Sequence, residues 1–575
     1  MISRDTPEGE YRYTYDAAGR LATVTGGGSN LSYERDTLDR ILAETVDGRT
    51  TRYAYDAVGR RIRRVTASGA ESTWTYDAAG RPVGLDTGAG RLDFALDAAG
   101  QEIERLVSGG AGLFRSYDIA GRQLTERLTA APEISTPGAG RVNTILTRSW
   151  SWRADGVPEE IQDSLRGERR VVSDRAGRVT AVSARDWSES YTYDDFGNVL
   201  TGAETDALST AAGLVSASVG ELTVIDGTLL RQAGRTHHEY DEAGRLVRTV
   251  RRTLDGRRKT WTYTWDSQDQ LVRAETPDHG TWLYSYDPIG RRTAKSRLTE
   301  DGPADELLFS WDGPCLVEQR TGLGGGTVQT LTWDYGPDTF RPLAQRRRTW
   351  VDEAGQDAID EAFHAVITDL VGTPTELVTH HGRVAWHTAS TLWGRTVATS
   401  VEEGLDCPLR FPGQYHDAET GLHYNLYRYY NPETAAYLTP DPLGLAPSPN
   451  DHSYVGNPLT AIDPLGLYEL PEGGSDSWDR GTFDSPDESF DYHYKKHGKP
   501  LGKTPDEYFQ DAKAWRDRMA QPGAKPNYKQ SIQHFDEGPG VKYTSTATDP
   551  AGQQGGILSP APLKKVVSFW YNNDV

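Results

Sequence analysis

Aromatic and polar residues alternate at the start of the chain. Tyr11, Tyr13 and Tyr15 fall on one side of an extended segment, residues 16 to 19 carry Asp and Gly, and residues 21 to 24 turn apolar again. A period of two predicts a strand, and Asp followed three residues later by Gly predicts a turn, because Asp bonds the backbone ahead of it and Gly accepts a positive φ. The unit is a hairpin. Tyr-Asp-x-x-Gly-Arg recurs at Tyr15, Tyr55, Tyr76 and Tyr117, with degenerate copies at Asp36 and Asp97. The aspartates at 16, 36, 56, 77, 97 and 118 are spaced 20, 20, 21, 20 and 21 residues apart, which is a structural period. The register is lost near residue 125. It resumes at Asp174, Asp194, Asp241, Asp266 and Asp287, with looser copies at Asp312 and Asp334. One hairpin cannot bury its aromatic face, so consecutive hairpins are expected to pair edge to edge into a long sheet. Each repeated Tyr and Asp is therefore read as a packing rung or a turn former.

Composition agrees with a turn-rich β protein: 60 Gly, 31 Pro, 29 Tyr and 15 Trp stand against 2 Met in 575 residues. The net charge of −21 excludes a nucleic-acid surface spread over the whole chain. Cys315 and Cys407 stand far apart, so neither a disulfide framework nor a cysteine metal site is indicated. No apolar run is long enough to span a bilayer, and the start, MISRDTPEGEYRYTYD, enters a repeat without a signal-peptide core. A repeat array needs a terminal cap, so that start reads as a truncation.

The repeat, over roughly residues 10 to 345, resembles the RHS/YD repeats of bacterial polymorphic toxins and of the C component of insecticidal toxin complexes. The segments around residues 364–374, 409–415, 419–425 and 428–434 resemble, in order, the RHS-associated core. The resemblance implies a mainly β chain: a spiral sheet closing into a hollow cocoon, followed by a small α+β toxin domain. It divides the chain into a shell (1–345), a core with a cleavage motif (346–467), a linker (468–490) and a toxin domain (491–575). His423 reads as a stacked histidine in an aromatic wall.

Asn457 to Leu467, NPLTAIDPLGL, separates the repetitive part from the rest, and Asp441-Pro442-Leu443-Gly444-Leu445 is a second Asp-Pro copy upstream. Pro458, Asp463, Pro464, Gly466 and Leu467 fill the family's motif Pro-x4-Asp-Pro-x-Gly-Leu. The resemblance implies autoproteolysis of the bond from Leu467 to Tyr468 by an aspartyl-protease-like pair, Asp441 and Asp463. Two close carboxylates cannot both ionise, so one keeps a proton while the other activates water. Some relatives carry Arg immediately before the first aspartate. This chain has Pro440, which leaves that role absent or filled from elsewhere.

Beyond the motif the chemistry changes. Residues 492 to 529 hold nine basic and four acidic residues, a local basic face suited to nucleic acid. Thr504-Pro505-Asp506-Glu507 predicts a helix start, with the helix running to about Met519, and residues 541–544, 556–558 and 566–570 predict three strands. That order, with Tyr494-Lys495-Lys496-His497-Gly498 and Ser568-Phe569-Trp570, resembles the barnase-like, colicin D-type ribonuclease toxins. The resemblance implies His497 as acid/base, with His493 as a possible second; Lys496 as the phosphate-stabilising cation; Ser568 as a phosphate hydrogen bonder; and Trp570, Lys542 and Lys495 as RNA contacts. It implies neither a metal nor a cofactor, because His-Glu-x-x-His spacing fails at Tyr494 and Lys495 and Lys496 repel a dication.

The combined expectation is a secreted or delivered toxin that reaches the target-cell cytoplasm. It cuts RNA, with tRNA the family-suggested target, and its partners are an immunity protein and a delivery apparatus. The alternatives are another tail enzyme, such as an ADP-ribosyltransferase, and a surface adhesion scaffold with an inert tail.

Overall fold

The computed structural model describes residues 2–130, 143–206, 223–337, 339–351, 360–402, 405–445, 448–467, 470–471, 494–495, 528–535, 538–545, 554–558 and 566–571. Strands dominate: 19 form one sheet from Ile2 to Asp206, and 16 form a second from Thr223 to Val401. In both sheets every strand pairs antiparallel with its neighbours in sequence, so the sheets are hairpin meanders, as the repeat predicts. Among the described residues no helix is long and apolar enough to cross a membrane.

The turn explains the repeat. At Asp56 one carboxylate oxygen accepts the amides of Val58 (3.0 Å) and Arg60 (2.9 Å), and the other accepts Arg60 Nε (2.7 Å). Gly59 closes the turn at φ 93°. The Arg then reaches the next repeat: Arg60 lies 4.8 Å from the Tyr76 ring centroid and donates to the Asp77 carbonyl, while Tyr76 Oη donates to the Arg61 carbonyl at 2.8 Å. Each Tyr-Asp-x-x-Gly-Arg therefore stabilises its own turn and holds the following one, which is why all four fixed residues repeat together.

The apparent loss of register near residue 125 is corrected by the structure. Hairpins continue through Asn143–Trp152 and Pro158–Asp163, joined by a turn in which Arg153 replaces Asp and Gly156 keeps a φ of 86°. Thr66, Thr253, Thr379 and Thr391 open turns of the same backbone pattern. The backbone requirement is a positive φ at the fourth position, met by Gly in most turns and by Asp39 and Asp269 in two, so the opening Asp is dispensable and the sequence signal fades while the structure persists.

The second sheet lies against the first. Glu8 meets Ser267, Glu44 pairs with Arg291, Arg64 with Asp334 (2.6 Å), Arg148 with Glu376, and Glu189 accepts the Leu392 amide (2.8 Å). Contacts that advance together along both sheets are those of successive turns of a spiral, the arrangement of a β cocoon. The second sheet continues across residue 345, so the change in sequence character there falls inside one sheet.

A small sheet of Tyr415–Asp417, Leu422–Asn425, Arg428–Asn431 and Ala436–Tyr437 packs on the second large sheet. Trp265, Trp311, Tyr284 and Tyr286 of the large sheet meet Tyr424 and Tyr429 of the small one. Arg292 and Lys295 reach Asp417 from beneath, at 2.6 and 2.9 Å, and Lys295 also binds Glu419 at 2.8 Å. All four charged groups are buried, so removing any one would strand its partner. This platform fixes the hairpin that presents Arg428.

The tail contains a four-stranded antiparallel meander, Tyr528–Phe535, Gly538–Ser545, Gln554–Leu558 and Val566–Tyr571. The first strand is an addition to the three expected. It reads as mixed polar and apolar, KQSIQH, without a β-branched run, and its pairing with the next strand supplies what propensity lacks. The helix expected at 504–519 lies outside the described residues.

Candidate functional site: a buried aspartate pair at the junction

Asp463 follows the strand Ala461–Ile462, and Leu470–Pro471 pairs back onto that strand. Residues 463 to 467, which end at Leu467, therefore leave that strand on the side from which Leu470–Pro471 returns. Asp463 caps this segment: Oδ1 accepts the amides of Gly466 (2.8 Å) and Leu467 (2.9 Å), and Oδ2 accepts the Tyr437 hydroxyl (2.7 Å). Its carbonyl accepts Asn425 Nδ2 at 2.8 Å.

Asp441 reaches the same place from its own Asp-Pro turn, where Oδ1 accepts the Leu443 amide at 2.7 Å and the main-chain carbonyl accepts Gly444 N–H at 2.8 Å. Arg428 joins the two acids. One guanidinium nitrogen, Nη2, lies 2.9 Å from Asp441 Oδ2 and 3.3 Å from Asp463 Oδ2. Nε donates to the Gly466 carbonyl, Nη1 donates to the Asp451 carbonyl at 3.1 Å, and the group sits 3.6 Å from the Tyr437 ring centroid. Asp441, Asp463 and Arg428 are all buried.

Burial raises both acids. It pushes Asp441 up to about 6 against the opposing pull of Arg428, and it raises Asp463 against Arg428 and the Tyr437 hydroxyl. Two buried carboxylates with one cation between them are neutral when they share one proton. Asp463 accepts from two amides, a hydroxyl and the guanidinium, while Asp441 accepts from one amide with Arg428 Nη2 at 2.9 Å, so Asp463 is the more fully hydrogen-bonded of the two.

The surrounding backbone fits closely. Leu426, a non-glycine at φ 46°, turns the two-residue hairpin between Asn425 and Arg428, and Tyr427 N–H donates to the Leu465 carbonyl at 3.1 Å. Gly413, at φ 83°, faces the Pro464 carbonyl so closely that a Cβ would lie 1.9 Å from its oxygen. Asn457 Nδ2 donates to the Gly177 carbonyl (2.9 Å), tying the Pro458 end of the motif to the first sheet. Asp451, bonded to Thr228 and His452 (2.8 Å each), ties the other side to the second.

Sequence reasoning singled out Asp441 and Asp463 and missed Arg428, Tyr437 and Asn425. Arg428 stands inside a core segment already noted for its likeness, and a lone cation among Leu426, Tyr427, Tyr429 and Tyr430 is a signal for a buried carboxylate partner. His423 is a packing residue: buried, held to Gln414 (2.8 Å), ringed by His416 and Tyr430, and kept neutral because burial lowers its pKa.

In the tail, Lys495 is exposed beside buried Tyr494. His493, Lys496 and His497 lie outside the described residues. The register sets Lys542 opposite Ile557 and Ile557 opposite Ser568, so the two candidate residues stand in one cross-strand row, with Trp570 opposite Gly555.

The RHS Repeat family matches residues 55–92. A probable deoxyribonuclease RhsA of Dickeya dadantii is 34% identical over 313 residues, covering 53% of this chain and 21% of the relative. A double-stranded DNA deaminase toxin A of Burkholderia cenocepacia is 33% identical over 355 residues, covering 58% and 23%. The chain thus spans about a fifth of the length of the curated relatives it matches. Among solved structures, a Tc holotoxin pore of Photorhabdus luminescens aligns with a TM-score of 0.58 at 16% identity, over 80% of this chain and 23% of that one, and shares the fold.

Proposed function

We propose that this RHS-repeat chain is the shell and effector portion of a toxin, and that it cuts itself after Leu467 and carries a metal-independent ribonuclease as its tail. The observation that carries the first half is the single Arg428 nitrogen within reach of both aspartates, beside an Asp463 that holds the Leu467 amide. In this reading Asp441 donates its proton to the Leu467 carbonyl oxygen, and Asp463 takes a proton from the attacking water. The water oxygen bonds to the carbonyl carbon; Asp463 passes its new proton to the Tyr468 nitrogen, the gem-diol returns a proton to Asp441, the C–N bond breaks, and the Tyr468 nitrogen leaves as an amine. Leu467 becomes a carboxylate. On a denaturing gel the wild-type chain should run as two bands and Asp463→Asn as one; two bands of the original sizes from that variant would discard the pair.

Two relatives alike over a similar length are named for different reactions, a deoxyribonuclease and a deaminase. The shell is what such proteins have in common, so the reaction is argued from the tail's own residues. His497 would move the proton of a ribose 2′-OH, Lys496 would stabilise the charge developing on phosphorus, and Ser568, Lys542, Lys495 and Trp570 would hold the strand, with His493 as a second acid/base group. The target would be RNA, with tRNA the suggested class, and the partners an immunity protein and a delivery apparatus. The relatives' names favour DNA as the second reading. Residues 468–575 incubated with total RNA and with plasmid DNA in excess chelator should cut the RNA and leave 2′,3′-cyclic phosphate ends. His497→Ala should lower that rate by about two to four orders of magnitude. Cleavage of DNA alone, or activity restored only by a divalent ion, would replace this reading.

A further inference from the structure

We propose that Arg428 is the positioning residue of the self-cleavage site: it sets the charge state of the aspartate pair and holds the chain segment to be cut in register with it. The inference rests on the self-cleavage reading and adds a group that neither Asp-Pro motif contains. Arg428 lies on the strand Arg428–Asn431, outside both motifs.

Its contacts divide into two kinds. Through Nη2 it faces Asp441 and Asp463; through Nε it grips the carbonyl of Gly466, one residue before Leu467. One guanidinium thus fixes the distance between the acids and the segment they act on, which a rigid planar fork does and a flexible ammonium does not. The Asp451 carbonyl at Nη1 and the Tyr437 ring hold the fork in its plane. Every charged or titratable group facing it enters this balance: Asp441, Asp463 and Tyr437 directly, and Asp451 with its partner His452 behind.

One cation stabilises one buried anion, so the second carboxylate keeps its proton until the pH exceeds about 6. Without the cation, both carboxylates hold protons more tightly. The alkaline limit of the self-cleavage reaction then moves to higher pH, an effect that loss of packing alone does not produce.

The test is cell-free synthesis of the full chain, chased in buffers from pH 5 to 9, with cleavage followed on denaturing gels. In Arg428→Gln the alkaline limb should move up by about one to three pH units, the usual effect of removing an adjacent opposite charge, and the maximal rate should fall about tenfold or more. Arg428→Lys should keep the wild-type limb, because the charge remains, and lose rate, because the Gly466 carbonyl is no longer gripped. A limb in Arg428→Gln that coincides with the wild type overturns the proposal, as does a limb in Arg428→Lys that moves equally far. If Arg428→Gln fails to give a protease-resistant shell, Arg428→Lys decides: slowed cleavage at an unmoved limb supports the role, and unchanged rate and limb overturn it. Asp441→Asn and Asp463→Asn, run alongside, separate the two claims. Normal cleavage in both removes the aspartate-pair reading itself, whereas cleavage lost in both with Arg428 variants unchanged removes only the role of Arg428.

Discussion

The repeat turns and the junction are built from the same two residue types, Asp and Arg, and arrive at opposite acidities. In turns such as those of Asp16, Asp56 and Asp118 the Asp has its own Arg four residues on and two backbone amides, near solvent: Asp16 is lowered to about 2 chiefly by the Arg20 side chain, and Asp118 is lowered by the Arg122 backbone and side chain. At the junction two acids share Arg428 inside the protein, and burial raises both. Asp266 and Asp369 are natural controls. Gln270 and Thr373 stand where those turns carry Arg, and burial raises both acids. One Arg per carboxylate near water makes a structural ion pair, and one Arg per two carboxylates away from water makes a proton store.

The largest effect should separate the two kinds of Asp. Asp463→Asn should slow self-cleavage by about two to four orders of magnitude, while Asp56→Asn should leave the rate unchanged and cost the shell about 0.2–1 kcal/mol, as expected of a partly exposed pair. Chased gels and thermal unfolding read the two. A cleavage defect in Asp56→Asn would erase the distinction.

Glycines sharpen it next. Gly413→Ala adds a Cβ 1.9 Å from the Pro464 carbonyl oxygen at a positive φ and should cost about 2–5 kcal/mol, the sum of overpacking and backbone strain. Gly59→Ala has the same φ class and no atom within 4 Å, so it should cost only the strain, about 1–2 kcal/mol. Unfolding midpoints in denaturant compare them, and equal costs would show the junction to be no tighter than a turn.

The pH dependences should run in opposite directions. Turn aspartates, lowered in the fold, add stability above their unfolded value near 3.9, and that contribution is lost as pH falls toward 2. Asp441, raised, contributes stability below its unfolded value and loses it as pH rises through about 6. Self-cleavage should accordingly slow as pH rises above about 6, and the shell should unfold as pH drops below about 4. A cleavage rate flat from pH 5 to 8 would contradict the proton assigned to Asp441.

The smallest effect should come from repairing a turn. Gln270→Arg gives Asp266 the missing partner and should lower its pKa, followed by carboxylate chemical shift, with a stability gain of at most about 1 kcal/mol. An unmoved Asp266 would place the difference in burial alone.

By itself the sequence determined the repeating hairpin. Tyr alternation, the Asp-x-x-Gly turn and its period of 20 or 21 residues are local constraints, written within each unit and satisfied within it or by the next. It also determined that Asp441 and Asp463 belong to one kind of turn, since Asp-Pro-Leu-Gly-Leu is spelled twice. Only the tertiary structure decided what joins them. Arg428 lies far from Asp463 along the chain and meets it because the buried Arg292, Lys295, Asp417 and Glu419 charges dock its hairpin on the second sheet. The hairpin around Arg153 and the strand Tyr528–Phe535 were likewise decided by pairing with neighbours, because backbone hydrogen bonds to an adjacent strand do not depend on the side chains that a sequence displays.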